Sequence, residues 1–321
     1  MAIAIETKGL TKVFTPNIIA VNQLNLSIKE GEIFAFLGPN GAGKTTTVRL
    51  LTTLIKPTSG DAVVAGSSIL KNKIELRRNI GLLSERPNLY LRLSARKNLL
   101  FFAKMYGLTH QEASHRITDM SREFELKDRI DSPVGSYSKG MKQKLGILRA
   151  MIHSPPVMFL DEPTSGLDPL AQASVRETIE RAAEELDTTI FMTTHNLPEA
   201  ERLADKIGVI NKGKLLVIGS TSELQSKVSK TNKLVIKCIE PVVNYQSIFQ
   251  NIEGVLSFQY LKNESLFEIE LISFEVTPHI IRSLVENDIS ILEVRPTKKS
   301  LEEIYKQIMD NSYGGWFEDA A

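Results

Sequence analysis

The sequence predicts an α/β core followed by a smaller α+β domain. Three observations carry that prediction. Strands alternate with helices from residue 3 to about residue 220. A glycine-rich loop, GPNGAGKTT, joins the apolar stretch EIFAFL to a helix. Beyond about residue 220 the order changes to strand, helix, two strands, helix and strand. Alternating β and α segments pack as a largely parallel sheet covered by helices on both faces.

In chain order, residues 32–37 read as a buried strand and 45–55 as the helix after it. The turn residues Lys56-Pro57-Thr58-Ser59-Gly60 stop that helix. From about residue 88 to 126 the pattern is mostly helical. SYSKGMKQK, residues 136–144, is a Ser-Lys-Gly turn that opens a helix, with Met141, Leu145, Leu148 and Ile152 on one apolar face. Residues 157–162 (VMFLDE), 188–193 (TTIFMT) and 206–210 read as core strands. In the last third, 233–240 is a strand, 245–251 a helix, 255–261 and 265–271 a hairpin, 277–286 a helix and 289–294 a strand. That βαββαβ order is the ferredoxin-like plan. A closing helix over 300–309 carries Ser300 and Glu303 at capping-box spacing. Residues 310–321, with Trp316, read as a flexible tail.

Composition narrows the function classes. The chain has 321 residues, long enough for two domains. Its net charge of +1 gives no global attraction to nucleic acid or to an anionic membrane. Cys238 is the single cysteine, so no intramolecular disulfide forms and a reducing compartment fits. The start, MAIAIETKGLTKVF, lacks the pattern of a signal peptide, and no apolar run is long enough to span a bilayer.

The chemistry begins at Gly38–Thr46, a G-x-x-x-x-G-K-[ST] loop between a strand and a helix. Its glycines let backbone N–H groups close around phosphate oxygens. Lys44 reaches the β- and γ-phosphates, and the Thr45 hydroxyl holds Mg²⁺. In FLDE, Asp161 emerges at the end of a strand, where α/β sheets bind ligands, and supports the Mg²⁺ shell. Glu162 polarises a water toward the γ-phosphate. His195 ends the next strand, within reach of that phosphate. The start of the SYSKGMKQK helix is an anion site with no general base or metal ligand inside the stretch.

Taken together, these motifs resemble the ATP-binding subunit of an ABC transporter over about residues 3–225. Gly38-Pro39-Asn40-Gly41-Ala42-Gly43-Lys44-Thr45-Thr46 resembles its Walker A loop, and Val157–Glu162 its Walker B strand with the catalytic glutamate. Tyr137-Ser138-Lys139-Gly140-Met141 stands at the LSGGQ signature, with Lys139 and Met141 departing from the usual residues. Ser165-Gly166-Leu167-Asp168 resembles the D-loop, His195 the switch histidine and Phe14 the aromatic that stacks on adenine. In IGLLSERPNLY, Glu85 aligns with the family's usual Gln, which contacts Mg²⁺ and the attacking water.

The resemblance implies a P-loop NTPase core with a helical subdomain at about 86–155, within an ATP-binding domain at 1–225. A ferredoxin-like accessory domain follows at 226–309. It implies Lys44, Glu162 and His195 as catalytic residues. ATP would meet Phe14, Gly38, Asn40, Gly41, Gly43, Lys44, Thr45 and Thr46, and Mg²⁺ would meet Thr45, Glu85 and Asp161. Ser138, Gly140 and Asp168 would serve across a head-to-tail dimer, where each signature meets the partner's γ-phosphate. The implied setting is the cytoplasmic face of a membrane, with a separate permease subunit, a second and identical ATP-binding subunit, and no nucleic acid. The appendage resembles that of drug- and antibiotic-exporting ATPases. The alternative is an ABC ATPase acting on ribosomes or DNA. Such proteins carry paired ATPase units or a long coiled coil, and neither occurs in this sequence.

Overall fold

The computed structural model describes residues 2–228, 232–239, 245–250, 252–297 and 300–313. The expected tail beyond Tyr313, with Trp316, lies outside them. The chain divides into two compact units, Met1–Thr221 and Ser222–Ala321.

The first unit opens with β1 (Ile3–Phe14), β2 (Ile18–Lys29) and β3 (Ile33–Leu37), then α1 (Lys44–Leu51). Next come β4 (Ser59–Val64), β5 (Ser67–Ser68), α2 (Lys73–Arg78) and β6 (Ile80–Leu83). Three helices follow: α3 (Ala95–Met105), α4 (His110–Glu123) and α5 (Lys139–Met151). The unit continues through β7 (Val157–Asp161), α6 (Pro169–Leu186), β8 (Thr189–Thr194), α7 (Leu197–Leu203), β9 (Lys206–Asn211) and β10 (Lys214–Gly219). Helix α8 (Thr221–Val228) comes next.

Two sheets result. The six-stranded sheet has the order β10-β9-β3-β8-β7-β6 and is parallel except where β10 pairs with β9. β3 and β7 are apolar almost throughout, β8 carries an apolar centre between threonines, and all three are buried, as parallel strands covered on both faces must be. Phe34, Phe36, Phe159 and Phe191 cluster across its centre as tilted rings, with neighbouring centroids 5.4–6.2 Å apart. Parallel register places Leu37 opposite Thr194, and Asp161 opposite Thr193. The ends of three central strands therefore meet at one edge of the sheet.

The second sheet, β2-β1-β4-β5, is antiparallel. The expectation of βα alternation from the N-terminus did not include it. Its basis lies in β2, where buried and exposed residues alternate from Gln23 to Lys29, the pattern of a strand with one wet face.

Helix α1 ends at Leu51 rather than at residue 55. Thr52 and Thr53 are poor helix formers, and Thr53 takes a left-handed φ of 60°. The helical stretch expected over 88–126 resolves into α3 and α4. Gly107, at φ 88°, turns the chain, and Thr109 and Glu112 close a capping box on α4.

The second unit holds β11 (Asn232–Cys238), α9 (Tyr245–Gln250), β12 (Val255–Leu261), β13 (Leu266–Leu271), α10 (Thr277–Glu286), β14 (Ile291–Thr297) and α11 (Leu301–Tyr313). Its antiparallel sheet has the order β12-β13-β11-β14, the ferredoxin-like arrangement. Ile236, Cys238, Phe267, Ile280 and Leu284 are among its buried core residues. Ser300 and Glu303 form the reciprocal cap of α11 through backbone bonds of 2.8 and 3.3 Å. That helix runs to Tyr313, past the expected residue 309.

Candidate nucleotide site

The glycine-rich loop leaves β3 and closes on the start of α1. Gly43 caps α1 in a left-handed conformation, with φ 110°. A Cβ there would stand 2.2 Å from the Ala20 carbonyl oxygen, and one on Gly38 would stand 2.3 Å from that of Ile210. Only glycine fits either place. Lys44, the first residue of α1, is buried. Its ammonium donates to the Gly38 and Pro39 carbonyls at 2.7 and 3.3 Å and pairs with Glu162 Oε1 at 3.2 Å.

Asp161 ends β7 and is buried. Its Oδ1 accepts from Thr45 Oγ1 at 3.1 Å and from Thr193 Oγ1 at 2.6 Å. Burial pushes the Asp161 carboxyl above its ordinary pKa. The two threonines oppose that shift, while the charges of Glu162 and Glu85 reinforce it. An adjacent cation would stabilise the ionised form. Thr45, Glu85 and Asp161 line one cleft of about 370 Å³, an all-oxygen donor set suited to Mg²⁺. Among the described residues no group of three or more His, Cys, Asp or Glu could hold a metal. With three protein oxygens, one from each residue of that set, an octahedral ion held here would take its remaining ligands from phosphate and water.

Glu162 turns away from β7 with φ 51°. Its N–H donates to Thr193 O and Oγ1, both at 3.1 Å. With Oε1 on Lys44, its Oε2 meets His195 Nδ1 at 2.7 Å. Lys44, Glu162 and His195 thus form a row along a second cleft of about 280 Å³, which Asn40, Gly41 and Thr46 also line. Glu85 lines both clefts.

Five residues singled out by sequence are not among those lining either cleft: Gly38, which lies tight against the Ile210 carbonyl, and four others. Phe14 is exposed at the end of β1, beneath the Lys12 ammonium at 5.1 Å. Ser138 caps α5, accepting from the Met141 N–H at 3.2 Å. Gly140 packs on the start of α6, where a Cβ would lie 2.9 Å from Ala171 Cβ. Asp168 caps α6, accepting from the Ala171 N–H at 3.0 Å.

Three further residues shape the site and were not singled out. Thr193 holds both Asp161 and the Glu162 backbone. Thr194 donates to the buried Glu199 at 2.5 Å, bracing the segment that carries His195. The polar TT before His195, ending an apolar strand, was their signal in the sequence. Arg149, on α5, is held over the Phe102 ring at 4.9 Å. Its guanidinium donates to the Leu82 and Pro87 carbonyls, which flank Glu85. Only the tertiary contact reveals that role.

A phosphate loop beside carboxylates at the ends of neighbouring parallel strands defines a P-loop nucleotide-binding protein. The family described as ABC transporter matches residues 21–165. The bacitracin transport ATP-binding protein BcrA of Bacillus licheniformis is 36% identical, over 96% of this chain and 98% of that protein. The linearmycin resistance ATP-binding protein LnrL of Bacillus subtilis is 30% identical, over 94% and 96%. Among solved structures, an ATP-binding subunit of an ABC transporter is 31% identical with a TM-score of 0.63, over 70% of this chain and 92% of that one. A dimeric ATP-binding cassette in a post-hydrolysis state, bound to ADP and Pi, is 27% identical with a TM-score of 0.60, over 67% and 98%. The chain belongs to the ABC transporter family, as an ATP-binding subunit with the family's ATPase fold.

Proposed function

We propose that this chain is the ATP-hydrolysing motor of an exporter. It works as a head-to-tail pair with a second, identical ATP-binding subunit, on the cytoplasmic face of the membrane, against a separate permease chain. The row Lys44–Glu162–His195 carries the hydrolytic part of this reading. The export part draws support from BcrA and LnrL, named for bacitracin transport and linearmycin resistance, whose similarity runs through the region after residue 225. Among the described residues no helix is long and apolar enough to cross a membrane, which suits a chain that needs a permease partner.

Arriving phosphate would replace Glu162 as the counter-ion of Lys44, leaving Oε1 to accept a proton from water. His195 would hold the other carboxylate oxygen and keep the base aimed. Thr45, Asp161 and Glu85 would hold Mg²⁺ bound with ATP, and the ion would neutralise charge on the β- and γ-phosphates. Phe14 would stack on the adenine. Ser138, Gly140 and Asp168 would serve the partner's ATP, in keeping with their places away from this chain's own clefts. We assign the ATP-binding domain to residues 1–225, with its helical part at about 86–155, and the accessory domain from residue 226 to the end of α11 at Tyr313.

Glu162→Gln tests the reading. It should keep ATP binding and slow hydrolysis by about 10²–10⁴-fold, the worth of a positioned general base. The ATP-bound variant should then accumulate as a dimer in size-exclusion chromatography. Wild-type turnover by Glu162→Gln would overturn the assignment of the base.

A further inference from the structure

Lys139 is a lysine in a signature segment where the family resemblance leads one to expect glycine, and its side chain is engaged within its own chain. Its ammonium donates to the carbonyls of Ser165 and Gly166 at 2.9 and 3.0 Å. Those residues form the turn between Glu162 and α6. Gly166 takes φ +64° there, and a Cβ on it would come within 2.5 Å of Lys139 Nζ. Glycine at 166 thus serves both the turn and the close approach of the lysine.

The same turn reaches the proposed base. The Ser165 N–H donates to the Glu162 carbonyl at 3.2 Å, and Ser165 lines the cleft with Lys44, Glu162 and His195. On its far side, Gln172 Nε2 holds the Leu167 carbonyl at 3.1 Å. Gly140 packs on Ala171, so the starts of α5 and α6 lie against each other beside the contact. A charge-assisted bond to two neighbouring carbonyls restrains a short turn more firmly than either neutral bond would.

We infer that Lys139 is a positioning residue that pins the Ser165–Gly166 turn to the start of α5, and through it holds Glu162 in place. The inference rests on the ATPase reading for its kinetic part only. The start of α5 and the cleft of the same chain then move as one piece, so an event at either is felt by the other.

The experiment uses the full chain with Lys139→Met, which keeps most of the side chain and removes the donors, and Lys139→Arg, which restores a cation with several donors. The first measurement is amide hydrogen exchange over residues 163–168 without nucleotide. Lys139→Met should exchange roughly 3–10-fold faster there, the worth of about one net hydrogen bond, and Lys139→Arg should return toward wild type. The second measurement is steady-state ATP hydrolysis. Lys139→Met should lower kcat by about 3–10-fold with KM within about twofold, and Lys139→Arg should recover most of the loss. Unchanged exchange overturns the latch. Faster exchange with unchanged kcat overturns its tie to the base. A raised KM with intact kcat overturns it too, by placing Lys139 on the nucleotide. If the wild-type chain itself shows no turnover, the ATPase reading fails, and exchange alone decides whether the latch exists.

Discussion

Two helix starts in this chain share the same backbone physics and differ in what surrounds them. Helix α1 begins at Gly43, with no side-chain cap, so its first N–H groups stay free for a ligand. Helix α5 begins at Ser138, whose hydroxyl already accepts the Met141 N–H. Beside α1 stand Lys44, Glu162 and His195 in a connected row. Beside α5 stands Lys139, turned onto two backbone carbonyls. Both ends favour an anion, but only the first has a base and a metal-binding set next to it. An anion-binding helix start is therefore insufficient to mark a catalytic centre; the groups that tertiary structure brings beside it decide.

The largest effect expected from this comparison is on nucleotide affinity. Lys44→Ala removes the positive charge from the first start and should weaken ATP binding at least about 100-fold by fluorescence titration, since it deletes the contact to the β- and γ-phosphates. Ser138→Arg alters the second start and should leave monomer affinity within about twofold while abolishing turnover. A large loss of monomer affinity in Ser138→Arg would erase the distinction between the two.

The next effect is steric. Gly43→Ala drives a Cβ toward the Ala20 carbonyl oxygen at 2.2 Å, in a left-handed conformation, and should cost about 2–4 kcal/mol in urea unfolding. Gly140→Ala meets a methyl group at 2.9 Å and should cost about 1 kcal/mol. Equal losses would mean that the α5 start is as tightly built as the phosphate loop.

Further along α5, Arg149→Met leaves the Leu82 and Pro87 carbonyls without their donor and should cost about 1–3 kcal/mol. It should also speed amide exchange around Glu85. Unchanged exchange there would show that α5 does not hold the Glu85 loop.

The effect that is smallest at neutral pH comes just after the end of α5. His153 stacks on Tyr106 at 3.6 Å, and burial lowers its pKa from 6.5 to about 4. The unfolded chain then binds the proton that the folded chain refuses between these values. Stability from this residue is complete above about pH 6.5 and is lost as pH falls toward 4. His153→Gln should flatten the fall of Tm across that window relative to wild type. An unaltered slope would assign the acid sensitivity to other groups.

Much of the molecule was legible without coordinates because its signals are local. The spacing from Gly38 to Thr46, the apolar run before Asp161 and the capping box at Ser300 each depend on neighbours within a few residues. The antiparallel sheet of β1, β2, β4 and β5 was not read: the β1–β2 hairpin is local and was passed over, whereas β1 pairs with β4 across some fifty residues and no short stretch encodes that partnership. Element ends shifted where a single backbone angle decides, as at Thr53.

The sequence by itself determined the kinds of chemistry: a phosphate loop, two carboxylates after a strand, a histidine after another, and a second anion-favouring helix start. Residue type and close spacing are written in the chain, and they limit what the groups can do. Tertiary structure alone decided who meets whom. Parallel register sets Asp161 opposite Thr193, the left-handed turn at Glu162 splits its two oxygens between Lys44 and His195, and the packing of α5 on α6 hands Lys139 to the Ser165–Gly166 turn. These pairings join residues 26 to 118 positions apart, at distances set by sheet register and helix packing that no short stretch of sequence contains.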